Sequence, residues 1–340
     1  VTSLAGQSVL VTGASGFIGG HLARTLIGRG CRVTCVARPT SQVDALRAAG
    51  AVVVACEATD RAGIARVLAS SRARAVFHLA GQVRAVSAAD FMHANATAVD
   101  TLAQACSEQI ERPVLVLVSS LAAGGPARER PRVETDPSLP VSDYGRSKLA
   151  GEAAALRYAD TVPITVLRPC IVFGAADRGL LEVWTPIARA GLHVVAGSGE
   201  QRVSLIAVDD LVECLVRAAT QGERLVDGIA GRGTYYAAAQ EVSHAELGIA
   251  MAQALGRSAP RIVHLPAWSL RALGRCGDVT SRLRGRPGWV GRDKVGEMLA
   301  GSWTCSSAKA RQQLGWAPAA PLADRLRETA AWYRDAHWLS

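Results

Sequence analysis

Along the first half of the chain, short apolar runs alternate with segments whose apolar residues recur every three or four positions. Residues 8–12, 32–36, 51–56, 75–80, 114–119 and 164–167 are the runs, rich in Val, Leu and Ala, and each reads as a buried strand. Between them, residues 17–29, 41–49, 61–70, 88–109 and 142–159 read as helices; the first has its apolar residues at Ile18, Leu22, Leu26 and Ile27. Strand and helix alternating across short links requires right-handed parallel crossovers. The pattern therefore predicts an α/β fold, a Rossmann-type doubly wound parallel sheet over residues 1–170. Beyond Arg168 the pattern loosens, and helical stretches at 180–190, 209–220, 243–255, 266–275, 306–314 and 321–336 are broken by Gly and Pro. This predicts a smaller, mostly helical C-terminal substrate-binding portion over 171–202 and 239–340. The apolar run 204–208 and the helix after it are expected to return to the main sheet, within a segment at 203–238.

Where the first strand gives way to the first helix, the chain reads Gly13-Ala14-Ser15-Gly16-Phe17-Ile18-Gly19. Gly13 permits a tight turn, Gly16 lets the backbone approach a pyrophosphate, and Gly19 lets the helix pack close to the sheet. The helix N-terminus then offers N–H groups and a positive dipole end to phosphates. A glycine triplet alone is a weak signal, but at the first strand–helix junction of an alternating chain it is a strong one.

A second motif follows 24 residues after Ser120: Tyr144 and Lys148, four apart near the start of a helix and so on one face of it. A phenol has an ordinary pKa of about 10, too high for a base at neutral pH, and a neighbouring ammonium is expected to lower it. On its own such a pair is a common surface pair. Here it follows Ser119-Ser120 at a strand end, where open parallel sheets form their ligand crevice.

The Gly-x-x-Gly-x-x-Gly spacing together with Tyr-x-x-x-Lys resembles the extended branch of the short-chain dehydrogenase/reductase superfamily, the NAD(P)-dependent epimerase/dehydratase-like proteins, over nearly the whole chain. The resemblance implies a catalytic set of Ser120 (with Ser119 as the other choice), Tyr144 and Lys148, the lysine also gripping the nicotinamide ribose. It implies cofactor contacts from Gly13, Ser15, Gly16, Phe17, Ile18 and Gly19, from Glu57, from Leu79 and Ala80 after His78, and from Asn95 and Pro169. Asn95 would support the lysine or its water, and His78 reads as a packed hydrogen-bonding residue rather than a base. Substrate contacts are implied for Gln82, Leu121 and Arg202.

The end of the second strand selects between NAD and NADP. An acid there would bind free ribose hydroxyls and an arginine a 2′-phosphate. The chain has Arg38 and no acid, so NADP(H) is expected to be preferred, with NAD(H) as the alternative if Arg38 only stacks on the adenine. Sugar dehydratases of the branch carry Asp-Glu after the serine position, and Leu121-Ala122 stands here. Nucleotide-sugar enzymes often have Tyr-Gly after that strand and Asn after the later Arg-Pro. Here Ala123-Gly124-Gly125 and Arg168-Pro169-Cys170 stand instead. Against this, Arg202 before Val208-Asp209-Asp210 resembles an arginine that grips a nucleotide diphosphate, although it could equally pair with an acid. The resemblance thus implies an oxidoreductase for a secondary alcohol or ketone, of hydroxysteroid-dehydrogenase or dihydroflavonol-reductase type. The alternatives are a nucleotide-sugar epimerase and a non-catalytic cofactor sensor.

Composition adds limits. Hydrophobic residues make up 49% of the 340, enough for a large core and against global disorder. The first residues lack the pattern of a signal peptide and no apolar run reaches membrane-span length, so a cytoplasmic place is expected. Eight cysteines without a Cys-x-x-Cys pair read as reduced core residues, with no metal site. Residues 257–294 hold nine lysines and arginines against two aspartates, a net +7 of the chain's +9. This stretch, 271–294 above all, with Trp268 and Trp289 at its borders, reads as a solvated linker, a lid over an amphipathic substrate, or a lipid contact. Expected partners are a small-molecule substrate and a second copy in a homodimer, and no nucleic acid.

Overall fold

The structure, a computed structural model, describes residues 3–288 and 290–339. Its strands, in chain order, are β1 (Ser8–Thr12), β2 (Arg32–Ala37), β3 (Val52–Ala55), β4 (Ala75–His78), β5 (Val114–Val118), β6 (Ile164–Pro169), β7 (Ile171–Phe173), β8 (Leu192–Ala196), β9 (Arg202–Ala207), β10 (Thr234–Ala237), β11 (Gln240–Ser243) and β12 (Arg261–Leu265). The helices are α1 (Phe17–Gly28), α2 (Asp44–Ala48), α3 (Arg61–Ser71), α4 (Ala88–Met92), α5 (Ala98–Ser107), α6 (Leu121–Gly124), α7 (Asp143–Leu156), α8 (Leu181–Ala190), α9 (Val208–Gln221), α10 (His244–Ala254), α11 (Ala267–Arg284), α12 (Arg292–Leu299), α13 (Ala308–Leu314) and α14 (Leu322–Asp335).

Among the described residues seven strands form one sheet, in the order β10-β6-β5-β4-β1-β2-β3, with every neighbouring pair parallel. Side chains alternate across a strand, so each run feeds two cores. Val9 and Val11 pack with Leu22 and Leu26 of α1 and Leu211 and Leu215 of α9. Leu10, between them, packs on the other face with Ile64 and Leu68 of α3, Leu102 of α5 and Ala155 of α7. Burial on both faces is why these strands read as continuous apolar runs rather than as alternating ones. The fold is a Rossmann-like doubly wound sheet with flanking helices, as the pattern predicts.

The chain returns to that sheet differently from the expectation. The run at 204–208 belongs to β9, which sits in a separate three-stranded sheet, antiparallel to β11 and parallel to β7. The returning strand is β10, which pairs with β6 from Thr234 to Ala237. Helix α9 does pack against the main sheet. Periodicity could not separate two short buried strands, because both are apolar runs between turns.

The remaining elements build a third core around Trp184, Leu247, Met251, Leu326 and Tyr333, with β8 and β12 paired beside it. Helix α11 runs to Arg284, past the expected end at 275, and stops at Gly285, whose φ of +60° only glycine adopts easily. The next helix, α12, starts at Arg292, so α11 and α12 are separate helices. Trp289 lies outside the described residues. All eight cysteines are free; seven are buried, as expected, and Cys276 is exposed on α11.

Candidate active site

Because the seven strands are parallel, their C-terminal ends line one edge. The strand order reverses between β4 and β1, and there the glycine turn meets the residues after β4. Gly13 has φ +73°, and a Cβ on it would fall 2.6 Å from the Ala80 nitrogen and the Leu79 carbonyl carbon. No larger residue fits. Gly19 abuts the Gly13 carbonyl, so α1 can start against the sheet. Gly16 caps α1 with no side-chain bond, and the first turn carries no acid, which leaves the positive end of the helix open to a diphosphate. Ser15 and Gly16 are exposed, Phe17 and Ile18 half-buried, at this mouth. Arg38 and Glu57 are exposed just beyond β2 and β3, and Pro169 closes β6. These residues fit a dinucleotide laid along the edge.

His78 is buried at the end of β4 and shares a 2.8 Å hydrogen bond with the Thr12 hydroxyl. Burial, with a further push from the Lys148 ammonium, lowers its pKa to about 3, so it is neutral. It is a packed hydrogen-bonding residue, not a base in the neutral range.

Helix α7 begins at Ser142, whose hydroxyl accepts from the Gly145 N–H at 2.9 Å. This places Tyr144 in the first turn and Lys148 one turn on. The Tyr144 phenol faces the Ser120 hydroxyl, which favours the ionised phenol. Ser119, next to it in an extended chain, points to the other side and donates to Glu152. Ser120 is therefore the serine that faces the tyrosine. The Lys148 ammonium donates to the Val118 carbonyl at 2.7 Å and lies beside Gly81.

The electrostatics differ from the expected lowering of the phenol. Burial raises Tyr144 to about 12, Ser120 opposes this, and Glu297 adds to it. The lysine is turned to the Val118 carbonyl, so its charge does not offset the desolvation. Burial also lowers Lys148 to about 8, while the nearby Glu152 carboxylate works to keep it charged. The phenol thus holds its proton at neutral pH, with a readily titrated amine behind it.

A buried network under this pair escaped the sequence reading. Arg168 grips Glu152 with two bonds, 2.8 Å from Nε and 2.5 Å from Nη2, and also reaches Tyr236 and Ser138. Glu152 follows Lys148 by four positions, on the same helical face. That spacing was the available signal. Glu152→Ala leaves the Arg168 charge buried without its partner, and about 3–5 kcal/mol of stability should be lost. Chemical denaturation reads this directly, and a loss below about 1 kcal/mol contradicts the network's role.

Asn95 lies in a π-helical turn, His93–Thr97, that joins α4 to α5. Its side chain accepts from Gln82 N at 2.8 Å, donates to Gln82 O at 2.9 Å and donates to Ser147 Oγ at 2.9 Å. Ser147 in turn donates to the Tyr144 carbonyl. Asn95 thus braces the loop at Gly81 and Gln82 against α7, and its contacts are to these groups rather than to the lysine itself. Leu121 is buried as the first residue of α6. Arg202 is held by Glu241 at 2.5 Å and lies 3.7 Å from Glu246, the acid-pairing alternative.

Two further acids come from α12. The Asp293 carboxylate accepts from Asp143 N at 2.6 Å and Tyr144 N at 3.3 Å, and Glu297 accepts from Ser142 Oγ at 2.6 Å. They sit where an acid favours the start of a helix, and they tie α12 to α7. Asp293→Ala should cost about 1 kcal/mol, as loss of a cap does. It should also speed hydrogen exchange in α12, and unchanged exchange there contradicts the tie.

Among the described residues no group of three or more His, Cys, Asp or Glu is placed to hold a metal, and no helix is long and apolar enough to cross a membrane. The model of the NAD dependent epimerase/dehydratase family matches residues 9–230. The chain belongs to this family. Within reach of the family's sequences, the chain is 31% identical to a ceramide reductase of Caulobacter vibrioides over 334 residues, 97% of this chain and 96% of that one. It is 27% identical to a UDP-glucose 4-epimerase of Mycolicibacterium smegmatis, over 96% of this chain and 98% of that one. Its fold matches the crystal structure of a UDP-glucose 4-epimerase from Thermotoga maritima with a TM-score of 0.76 at 22% identity, over 97% of this chain and 99% of that one. The family member described here is thus an enzyme of the NAD-dependent oxidoreductase and epimerase group.

Proposed function

We propose that this chain is an NADPH-dependent ketoreductase that interconverts a ketone and a secondary alcohol on a long-chain, lipid-like substrate. The observation that carries the reading is the convergence of the Ser120 hydroxyl and the Tyr144 phenol at one point of the cleft edge. Two hydroxyls there can share one substrate oxygen, Ser120 orienting it and Tyr144 moving its proton. A phenol held near pKa 12 is protonated at neutral pH, which suits giving a proton to a ketone oxygen. Lys148, one turn on along the same helix, would grip the nicotinamide ribose of a bound cofactor. A nicotinamide dinucleotide held along this edge would supply the hydride. Leu121 and Ala122, where an acid pair would assist water loss, leave no group for elimination at that place.

Two facts support a ketone over a nucleotide sugar. Arg202 is already paired with Glu241 rather than presented to a diphosphate. The 31% relative is by name a reductase of a lipid. The epimerase reading is kept by the 27% relative, and there the cofactor would be regenerated with no net change. Steady oxidation of NADPH with a long-chain ketone, and none with UDP-glucose, supports the reductase. Interconversion of UDP-sugars without net oxidation sinks it.

For the cofactor, exposed Arg38 is the 2′-phosphate partner we propose. A hydrogen bond to a charged group contributes about 1.5–3 kcal/mol. Arg38→Ala should therefore lower kcat/KM with NADPH by roughly 10- to 100-fold and leave that with NADH nearly unchanged. A wild-type enzyme that strongly prefers NADH contradicts the assignment.

A further inference from the structure

Helix α11 carries apolar residues on two opposite faces. The inner face, Leu270, Gly274, Gly277 and Ser281, packs on α12 and the segment that leads into it: a Cβ on Gly274 would sit 3.0 Å from Val295, and Gly277 lies against the Val290 carbonyl. The outer stripe repeats at helical spacing through Trp268, Ala272, Val279 and Leu283, all exposed. Trp268 is 71% exposed, Val279 56% and Leu283 82%. A merely solvated helix face does not need a tryptophan and a leucine held this far into water.

Arginines flank the stripe. Arg271, Arg275 and Arg282 lie along one side of it, and Arg284 and Arg286 follow at its end, all exposed. Among the described residues none of these five is paired with a carboxylate, whereas the helix's own acid, Asp278, is neutralised by Arg292 at 2.5 Å. The face is thus apolar along its middle and cationic along its edge, with its acid already occupied.

We infer that the outer face of α11 docks on the surface of an anionic lipid bilayer. Such a surface meets both halves of the face, since the acyl boundary takes Trp268, Val279 and Leu283 while anionic headgroups take the arginines. A second copy of the chain is a poor occupant, because a two-fold pairing of this face sets arginines against arginines. The position is consequential. The next helix, α12, holds the backbone N–H groups of Asp143 and Tyr144 through Asp293. A docked α11 therefore sets the start of the catalytic helix close to the membrane, where a lipid-like substrate resides. The docking itself does not rest on the ketoreductase reading and holds equally for an epimerase.

The test uses the full chain and sedimentation with vesicles of phosphatidylcholine, with and without phosphatidylglycerol. The chain should bind the anionic vesicles, weakly or not at all the neutral ones, and less as salt rises. Each arginine near an anionic surface strengthens partitioning about fivefold, so the Arg271→Gln, Arg275→Gln, Arg282→Gln variant should bind about a hundredfold more weakly. Trp268→Ser with Leu283→Ser should also lose binding. All these residues are exposed, so unchanged thermal midpoints are expected and show that the variants fold. No binding to anionic vesicles overturns the proposal, as does undiminished binding by the variants. Self-association of the wild type that both variants abolish, without vesicle binding, assigns the face to a second copy and also overturns it.

Discussion

Tyr144→Phe lowers the rate of ketone reduction by about 10²–10⁴-fold, the usual worth of a positioned proton donor, and leaves dinucleotide affinity within about threefold. The phenol oxygen is the only atom removed. The ring keeps its place beside Phe91, with centroids 6.0 Å apart, and α7 keeps its Ser142 cap. The diphosphate cradle at Gly13 and Gly16 belongs to a different loop and is untouched. Single-turnover kinetics separate chemistry from binding, and quenching of protein fluorescence by NADPH gives the affinity. A variant that turns over at more than a tenth of the wild-type rate contradicts Tyr144 as the donor. A variant that loses rate only because NADPH no longer binds contradicts the division of labour between the two motifs.

Lys148→Met separates stability from activity. The folded protein lowers this lysine from its ordinary 10.5 to about 8, chiefly because burial disfavours the ammonium. One pKa unit is about 1.4 kcal/mol, so holding the charge in place costs on the order of 3 kcal/mol. In the folded state the lysine binds its proton more weakly than in the unfolded chain. The cost is therefore complete below about pH 8, falls as pH rises, and is gone above about 10.5. Methionine fills similar space with no charge. The Val118 carbonyl loses its donor, which offsets about 1 kcal/mol. The variant should be inactive yet about 2 kcal/mol more stable at pH 7, with the gain shrinking through pH 8 to 10.5. Denaturant titrations across that range check both parts. A variant less stable than the wild type at pH 7, or a gain that persists unchanged at pH 11, contradicts the assigned burial.

The parts of this molecule legible in the sequence are those in which one local rule decides. Runs such as Val9, Leu10 and Val11 are buried on both faces, so the central strands stand out, and the glycine turn follows from a backbone approach that excludes side chains. Tyr144 and Lys148 share a helical face, and that spacing was visible. What escaped depends on distant contacts. Thr234–Ala237 and Arg202–Ala207 are both short apolar runs, and only tertiary pairing tells which joins the main sheet. Asp293 and Glu297 act on α7 from about 150 positions away, and no local pattern announces that. The Arg168–Glu152 pair joins a strand to a helix, so its two halves read separately as a strand residue and a helix residue. The sign of the Tyr144 shift also escaped, because spacing reports the neighbouring amine and not how much water the fold removes.

The most direct test of a net hydride transfer at this site uses NADPH carrying deuterium at nicotinamide C4, on the face that is transferred, with a long-chain ketone and the wild-type chain. Mass spectrometry of the alcohol should find one deuterium on the carbinol carbon for each NADPH oxidised. Product without deuterium from either labelled face, or UDP-sugar interconversion with the added label left in the cofactor, contradicts the account.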